Sequence, residues 1–163
     1  MDRIWAPWRV EYISSTKTEG EKKCFLCIEQ DRDEESLVVG RSGTAFVIMN
    51  RFPYTNGHVM VVPVRHVGRA EDISDEESLD MMRLVRTMVA LFKEEFKVDG
   101  VNVGMNIGRA AGAGLEEHIH IHMVPRWFGD TNFMPVVGET RVISEHLIES
   151  YEKLKRKFIE KIF

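Results

Sequence analysis

The chain has 163 residues, 44% hydrophobic, 29% charged and 9% aromatic, which suits one ordinary globular domain with a core of its own. Lys and Arg total 22 against 26 Asp and Glu, a formal net charge of −4, which excludes a protein that coats nucleic acid through bulk positive charge. No apolar run reaches the ~20 residues of a membrane span, the start Met1-Asp2-Arg3-Ile4-Trp5 lacks a signal-peptide pattern, and two cysteines make no disulfide scaffold; the expectation is a single cytoplasmic domain over 1–163.

In chain order, residues 15–23 are polar, contain Gly20 and read as a loop. Strands are expected over 44–49 and 58–64, both rich in β-formers. Pro53 and the Asn56-Gly57 pair between them signal a turn, so the two strands are expected as antiparallel neighbours. Ser74-Asp75-Glu76-Glu77 is a capping-box pattern that opens a long helix. Met82, Val85, Val89, Phe92 and Phe96 give that helix an apolar face, and Asp99-Gly100 is expected to end it. Further strands are expected over 101–107 and 118–124, with Gly108, Gly112 and Gly114 between them. From 144 to the end, Leu147, Tyr151, Leu154, Phe158 and Ile162 recur at helical spacing. The class is α+β, an antiparallel sheet with a long central helix and a C-terminal helix packed against it.

The sharpest feature is His118-Ile119-His120-Ile121-His122-Met123-Val124. On a strand, Ile119, Ile121 and Met123 point into the core, and the three histidines line the opposite face, about 6.5–7 Å apart. Three readings compete. The histidines are a half-exposed surface row; or one of them joins metal ligands from elsewhere, the three together being too spread for one ion; or a neutral imidazole attacks phosphorus, with its neighbours positioning it and handling protons. The glycines before the strand let backbone N–H groups approach an anion. Asn106 and Arg126 are candidate phosphate contacts.

This segment, with Pro125-Arg126 after it and Asn50-Arg51-Phe52-Pro53-Tyr54-Thr55-Asn56-Gly57-His58-Val59 upstream, resembles the histidine triad (HIT) family of nucleotide hydrolases and transferases. The resemblance implies a HIT-like fold with His120 as the nucleophile on an α-phosphorus, giving a nucleotidyl-histidine. His122 would contact phosphate and assist the leaving group, and His118 would hold the geometry. Asn50 would touch the ribose, Asn106, Gly112, Gly114 and Arg126 the phosphates, and His58 would support the triad from the neighbouring strand. No catalytic metal or organic cofactor is implied. Trp5-Ala6-Pro7-Trp8-Arg9 and the segment 125–133 are similar to the bacterial branch that phosphorolyses diadenosine tetraphosphate to ADP and ATP, with inorganic phosphate as acceptor. Many family hydrolases carry Gln four residues before the first triad histidine; Gly114 stands there, which fits an acceptor other than water. Family members usually pair as homodimers.

Cys24-Phe25-Leu26-Cys27 is a CxxC that, alone, is ambiguous between redox chemistry, zinc and coincidence. The family resemblance implies one structural zinc held by Cys24, Cys27, His66 and His118. Trp5, Trp8 and Trp127 are candidates either for stacking on a base or for core packing. The competing functions are phosphorolysis of a dinucleoside polyphosphate, hydrolysis of such a substrate or of a nucleoside phosphoramidate, and a regulatory nucleotide-binding module without turnover.

Overall fold

The computed structural model describes residues 24–130, 143 and 145–162. The expected loop over 15–23, Trp5, Trp8, the segment 131–133 and Ser144 lie outside them.

A short helix α1 (Asp33–Ser36) ends on Leu37, which adopts a left-handed conformation at φ 62° and turns the chain into β1 (Val38–Ser42). β2 (Ala45–Met49) and β3 (Val59–Pro63) follow. Helix α2 (Asp75–Glu95), β4 (Gly100–Gly104), β5 (Ile121–Arg126) and helix α3 (Leu147–Ile162) complete the described elements. The strands form a sheet in the order β1-β2-β3-β5-β4, every neighbouring pair antiparallel. β3 and β4 are both antiparallel to β5, so they run parallel to each other, and the crossover between them is made by α2. The strand carrying His122 is thereby inserted between β3 and β4.

The turn between β2 and β3 forms as its sequence indicates. Gly57 sits at φ +70°, and a Cβ there would lie 2.4 Å from the Phe96 ring, so both conformation and space require glycine. The capping box at α2 is present on both sides: the Glu77 N–H donates to Ser74 Oγ at 3.1 Å, and the Ser74 N–H donates to Glu77 Oε2 at 2.9 Å. Glu77 also accepts two bonds from Arg65, which holds its buried carboxyl down at about 2.

One strand is added and two expectations are corrected. β1 was not anticipated, because Gly40 and the polar pair Arg41-Ser42 break its apolar run; Gly40 is there because the Phe158 ring lies where its Cβ would be, 2.0 Å away. The inward face of α2 is Met81, Leu84, Val85, Met88, Leu91 and Phe92, whereas Met82 is exposed. α2 also stops at Glu95, before Asp99, with Lys97 in the left-handed region at φ 49°.

The edge strand β4 is largely exposed, while the middle strands β2 and β3 are buried on both faces. On one, Val47, Met49, Val59, Val61, Ile121 and Met123 pack against α2 and against Tyr151, Leu154 and Phe158 of α3. On the other, Phe46, Ile48, Met60 and Val62 pack under Leu26 from the CxxC segment, with Leu115 alongside. Burying Leu26 completely contributes about 1.5–3 kcal/mol, so the CxxC segment is anchored to the sheet by packing as well as by its polar contacts.

Candidate active site and metal centre

The histidine segment is less regular than its alternation predicts. β5 begins at Ile121, and residues 118–120 precede it outside the strand, His118 in a bend and the Ile119 N–H tied to the Val67 carbonyl at 2.8 Å. The histidine face is also not half-exposed: His118 is 0% and His120 8% accessible. Leu26 and Leu115 cover this side of the sheet, which the sequence pattern of one strand cannot reveal.

At the start of the segment, His118 turns toward the cysteines. Its Nε2–H donates to the Pro63 carbonyl at 2.9 Å, which leaves the Nδ1 lone pair facing Cys24 Sγ at 3.4 Å and Cys27 Sγ at 3.7 Å. His66 Nδ1 lies 3.2 Å from Cys27 Sγ, and the four donor atoms fall within 4.8 Å of one another. A tetrahedral zinc with ordinary Zn–S and Zn–N bonds sets S···N edges of about 3.6 Å. The S···N separations of 3.2, 3.4 and 3.7 Å bracket that edge, so the four side chains are already grouped as such an ion would need them. Burial pushes the Cys24 thiol up to about 11, so a bound cation is what would hold it as thiolate. The donor set has the closed Cys2His2 composition of structural zinc, which cross-links segments rather than binding substrate.

Two residues on, the hydrogen bonding reverses. His120 Nδ1–H donates to the His118 carbonyl at 2.9 Å, so its Nε2 carries the lone pair. The His122 ring meets the His120 ring edge-on at 4.8 Å. Across the sheet, His58 accepts the Tyr54 N–H on Nδ1 at 3.1 Å. Its proton is therefore on Nε2, directed at His122 Nδ1 3.0 Å away. That contact places the remaining proton of His122 on Nε2, as a donor. Burial holds His120 below the ordinary imidazole value. Burial, followed by the neighbouring histidines, lowers His58 to about 3, and burial with His120 lowers His122 to about 4. All three are neutral at pH 7, as this tautomer chain requires.

The other expected contacts fall around this core. Asn50 Oδ1 accepts the Phe52 N–H at 2.8 Å, which turns its amide nitrogen toward His58. β4 ends at Gly104, which pairs with His122, and beyond it Asn106 turns its amide nitrogen to the Gly112 carbonyl at 3.5 Å. Gly112 takes up φ +90°, but its N–H closes the turn onto the Arg109 carbonyl at 2.9 Å and is not turned to a ligand. Gly114 is exposed in the loop between β4 and β5. Arg126 is gripped by the Asp130 carboxylate at 2.6 and 2.9 Å and by Asn102 at 2.8 Å, so its charge is already paired. Trp127 belongs to the core: its indole N–H donates to the Phe96 carbonyl at 3.0 Å. Sequence reasoning missed Tyr54, whose N–H fixes His58 and whose ring lies 4.6 Å from the His58 ring. Its position four residues before His58, across a turn containing Gly57, was the available signal.

Residues 31–129 match the HIT domain family. Over 154 residues the chain is 38% identical to the AP-4-A phosphorylase of Mycobacterium tuberculosis, covering 90% of this chain and 79% of that protein. It is 32% identical over 117 residues to the bis(5'-adenosyl)-triphosphatase of Dictyostelium discoideum, covering 71% of this chain and 76% of that one. Among solved structures, a Zn-bound histidine triad family protein from Mycobacterium smegmatis superposes with a TM-score of 0.71 at 24% identity, over 88% of this chain and 98% of that one.

Proposed function

The chain belongs to the HIT domain family and is a nucleotide-processing enzyme of that type, and from that premise we propose that it phosphorolyses diadenosine tetraphosphate to ADP and ATP through a nucleotidyl-His120 intermediate. The observation that carries the reading is the tautomer chain: Tyr54 N–H to His58, His58 to His122, and separately His120 to the His118 carbonyl. It leaves one lone pair, on His120 Nε2, beside one donor, on His122 Nε2.

In the first step His120 Nε2 attacks the α-phosphorus, and the bond to the bridging oxygen breaks. That oxygen departs on ATP as a phosphate anion, stable at neutral pH, and His122 Nε2–H stabilises it by a hydrogen bond without surrendering its proton. The His120 ring becomes cationic on phosphorylation, and the His118 carbonyl at Nδ1 stabilises that charge. In the second step an oxygen of inorganic phosphate attacks the same phosphorus, the P–N bond breaks, its electrons return to Nε2, and ADP leaves. The 38% identity to a protein named AP-4-A phosphorylase supports phosphate as the acceptor, as does Gly114, which offers no side chain to orient a water.

A zinc ion at Cys24, Cys27, His66 and His118 would supply a structural cross-link, with no role for it in either step. His118 then acts through its carbonyl alone. Exposed apolar residues on and just beyond the edge strand β4 support a homodimer: Val103 on the strand is 47% exposed, and Met105 and Ile107, which follow it, are 42% and 57% exposed. We place the enzyme in the cytoplasm, where its two thiols stay reduced, and read 1–163 as one domain with an N-terminal extension over 1–23.

The deciding experiment is product analysis on diadenosine tetraphosphate with and without inorganic phosphate. ADP plus ATP, formed only with phosphate, is expected; AMP plus ATP formed without phosphate would make the enzyme a hydrolase.

A further inference from the structure

His58 fixes the tautomer of His122 across the gap between two strands, and it does so at the end of their ladder. β3 and β5 are paired over three residues, from Val59 opposite Met123 to Val61 opposite Ile121, whereas β2 and β3 are paired over five. His58 stands just before the first of those three pairs. Toward β2 its main chain is fixed, because the Asn50 N–H donates to the His58 carbonyl at 2.9 Å. Toward β5 the tie comes from the turn. The Thr55 Oγ1–H donates to the Pro125 carbonyl at 2.9 Å, and the His58 N–H donates to the Thr55 carbonyl at 3.3 Å. Proline has no N–H to give a ladder, so the bond at this point runs to its carbonyl and needs a donor from the turn. The Thr55 side chain thus continues the β3–β5 pairing past its last backbone pair, onto the strand that carries His122.

We infer that Thr55 is a positioning residue for the reaction: its hydroxyl pins the β2–β3 turn to β5 and so keeps His58 Nε2 within reach of His122 Nδ1. The inference rests on the proposed role of His122 at the departing oxygen and goes one residue further back. Thr55 acts through His58 and takes no part in bonding to phosphorus. The His58–His122 contact is 3.0 Å long, and a displacement of about 0.5 Å takes it to the limit of a hydrogen bond. A ladder end freed of its last tie opens locally. His122 then loses the donor at Nδ1 and takes up both neutral tautomers, of which one alone carries a proton on Nε2.

The test removes the hydroxyl and follows both the tautomer and turnover. Thr55→Val keeps the volume of this half-buried side chain and lacks the donor, whereas Thr55→Ser keeps the donor and lacks a methyl group. Long-range proton–nitrogen NMR spectra of the substrate-free protein, with isotope-labelled histidine, report which ring nitrogen of His122 carries the proton. In wild type and Thr55→Ser, Nδ1 is expected bare and Nε2 protonated. In Thr55→Val the two nitrogen shifts are expected to move toward each other. With diadenosine tetraphosphate and inorganic phosphate, kcat is expected to fall about tenfold in Thr55→Val. KM should stay within twofold of wild type, and Thr55→Ser should recover kcat to within twofold. His122 shifts that stay as in wild type in Thr55→Val overturn the inference, whatever the turnover. A loss of kcat that Thr55→Ser does not recover also overturns it, since the hydroxyl would not be the cause. Averaged shifts with full turnover would keep the pin and overturn the proposed role of His122. The spectra need no substrate, so they decide the pin even if wild type does not cleave diadenosine tetraphosphate. If Thr55→Val does not fold, Thr55→Ala, which also lacks the donor, is read in the same way.

Discussion

At one end of the histidine segment, His118 keeps its proton on Nε2 for the Pro63 carbonyl and turns Nδ1 to two thiols. At the other, His120 keeps its proton on Nδ1 for the His118 carbonyl and leaves Nε2 free. The two residues are of the same type, two positions apart, and each gives one proton to a backbone carbonyl. Which carbonyl is in reach decides whether the free nitrogen faces a metal site or a reaction site. The difference teaches that an imidazole's role is set by the bond its other nitrogen makes. The two ends are joined through His118, which offers its ring to one and its carbonyl to the other.

Four experiments would break or sharpen this division. The largest effect is expected from His120→Ala: turnover should fall about 10⁴-fold while metal content and melting temperature hold. Retained turnover would mean that the free Nε2 is not the nucleophile. His58→Ala should lower kcat by about 10²-fold, because His122 loses the donor that fixes its tautomer. Bound metal, measured by atomic emission, should be unchanged; metal loss would show that the two ends are not separate.

At the metal end, Cys27→Ser should release zinc and lower the melting temperature by roughly 10 °C, corresponding to about 3–5 kcal/mol. A variant that melts like wild type would leave the cysteines as bystanders. The smallest effect is a pH dependence. His58 titrates at about 3 in the fold against about 6.5 unfolded. Between those values the unfolded chain binds the extra proton. Stability from this group is therefore complete above pH 6.5 and is lost as pH falls toward 3, on the order of a few kcal/mol. Denaturant titrations of wild type and His58→Gln should diverge at pH 7 and converge at low pH. Parallel curves would contradict a buried neutral His58.

Much of this was legible in the residues. The β2–β3 hairpin followed from Asn56-Gly57, because a left-handed turn position admits few residues besides glycine. The start of α2 followed from Ser74 and Glu77, because a cap is a local contact. The CxxC and the alternating histidines stood out as motifs, and the convergence of Cys24, Cys27, His66 and His118 agrees with the ligand set that the family resemblance implied. The inward face of α2 was misassigned around Met82 because several registers of an apolar-rich helix satisfy the same spacing. β1 was missed because a strand held by its neighbours needs no apolar run of its own.

The sequence by itself determined which side chains were available for chemistry and which local turns and caps would form, since those depend on residues a few positions apart. Tertiary structure alone decided what each histidine does. It inserted β5 between β3 and β4, which brought His58 to His122 and Gly104 beside it. It buried His58 and His120, and that burial is what holds their imidazoles neutral. It also supplied the Pro63 and His118 carbonyls that divide the segment into a metal ligand and a nucleophile. A tautomer depends on partners up to 64 residues away along the chain, and no local pattern encodes their distance or direction.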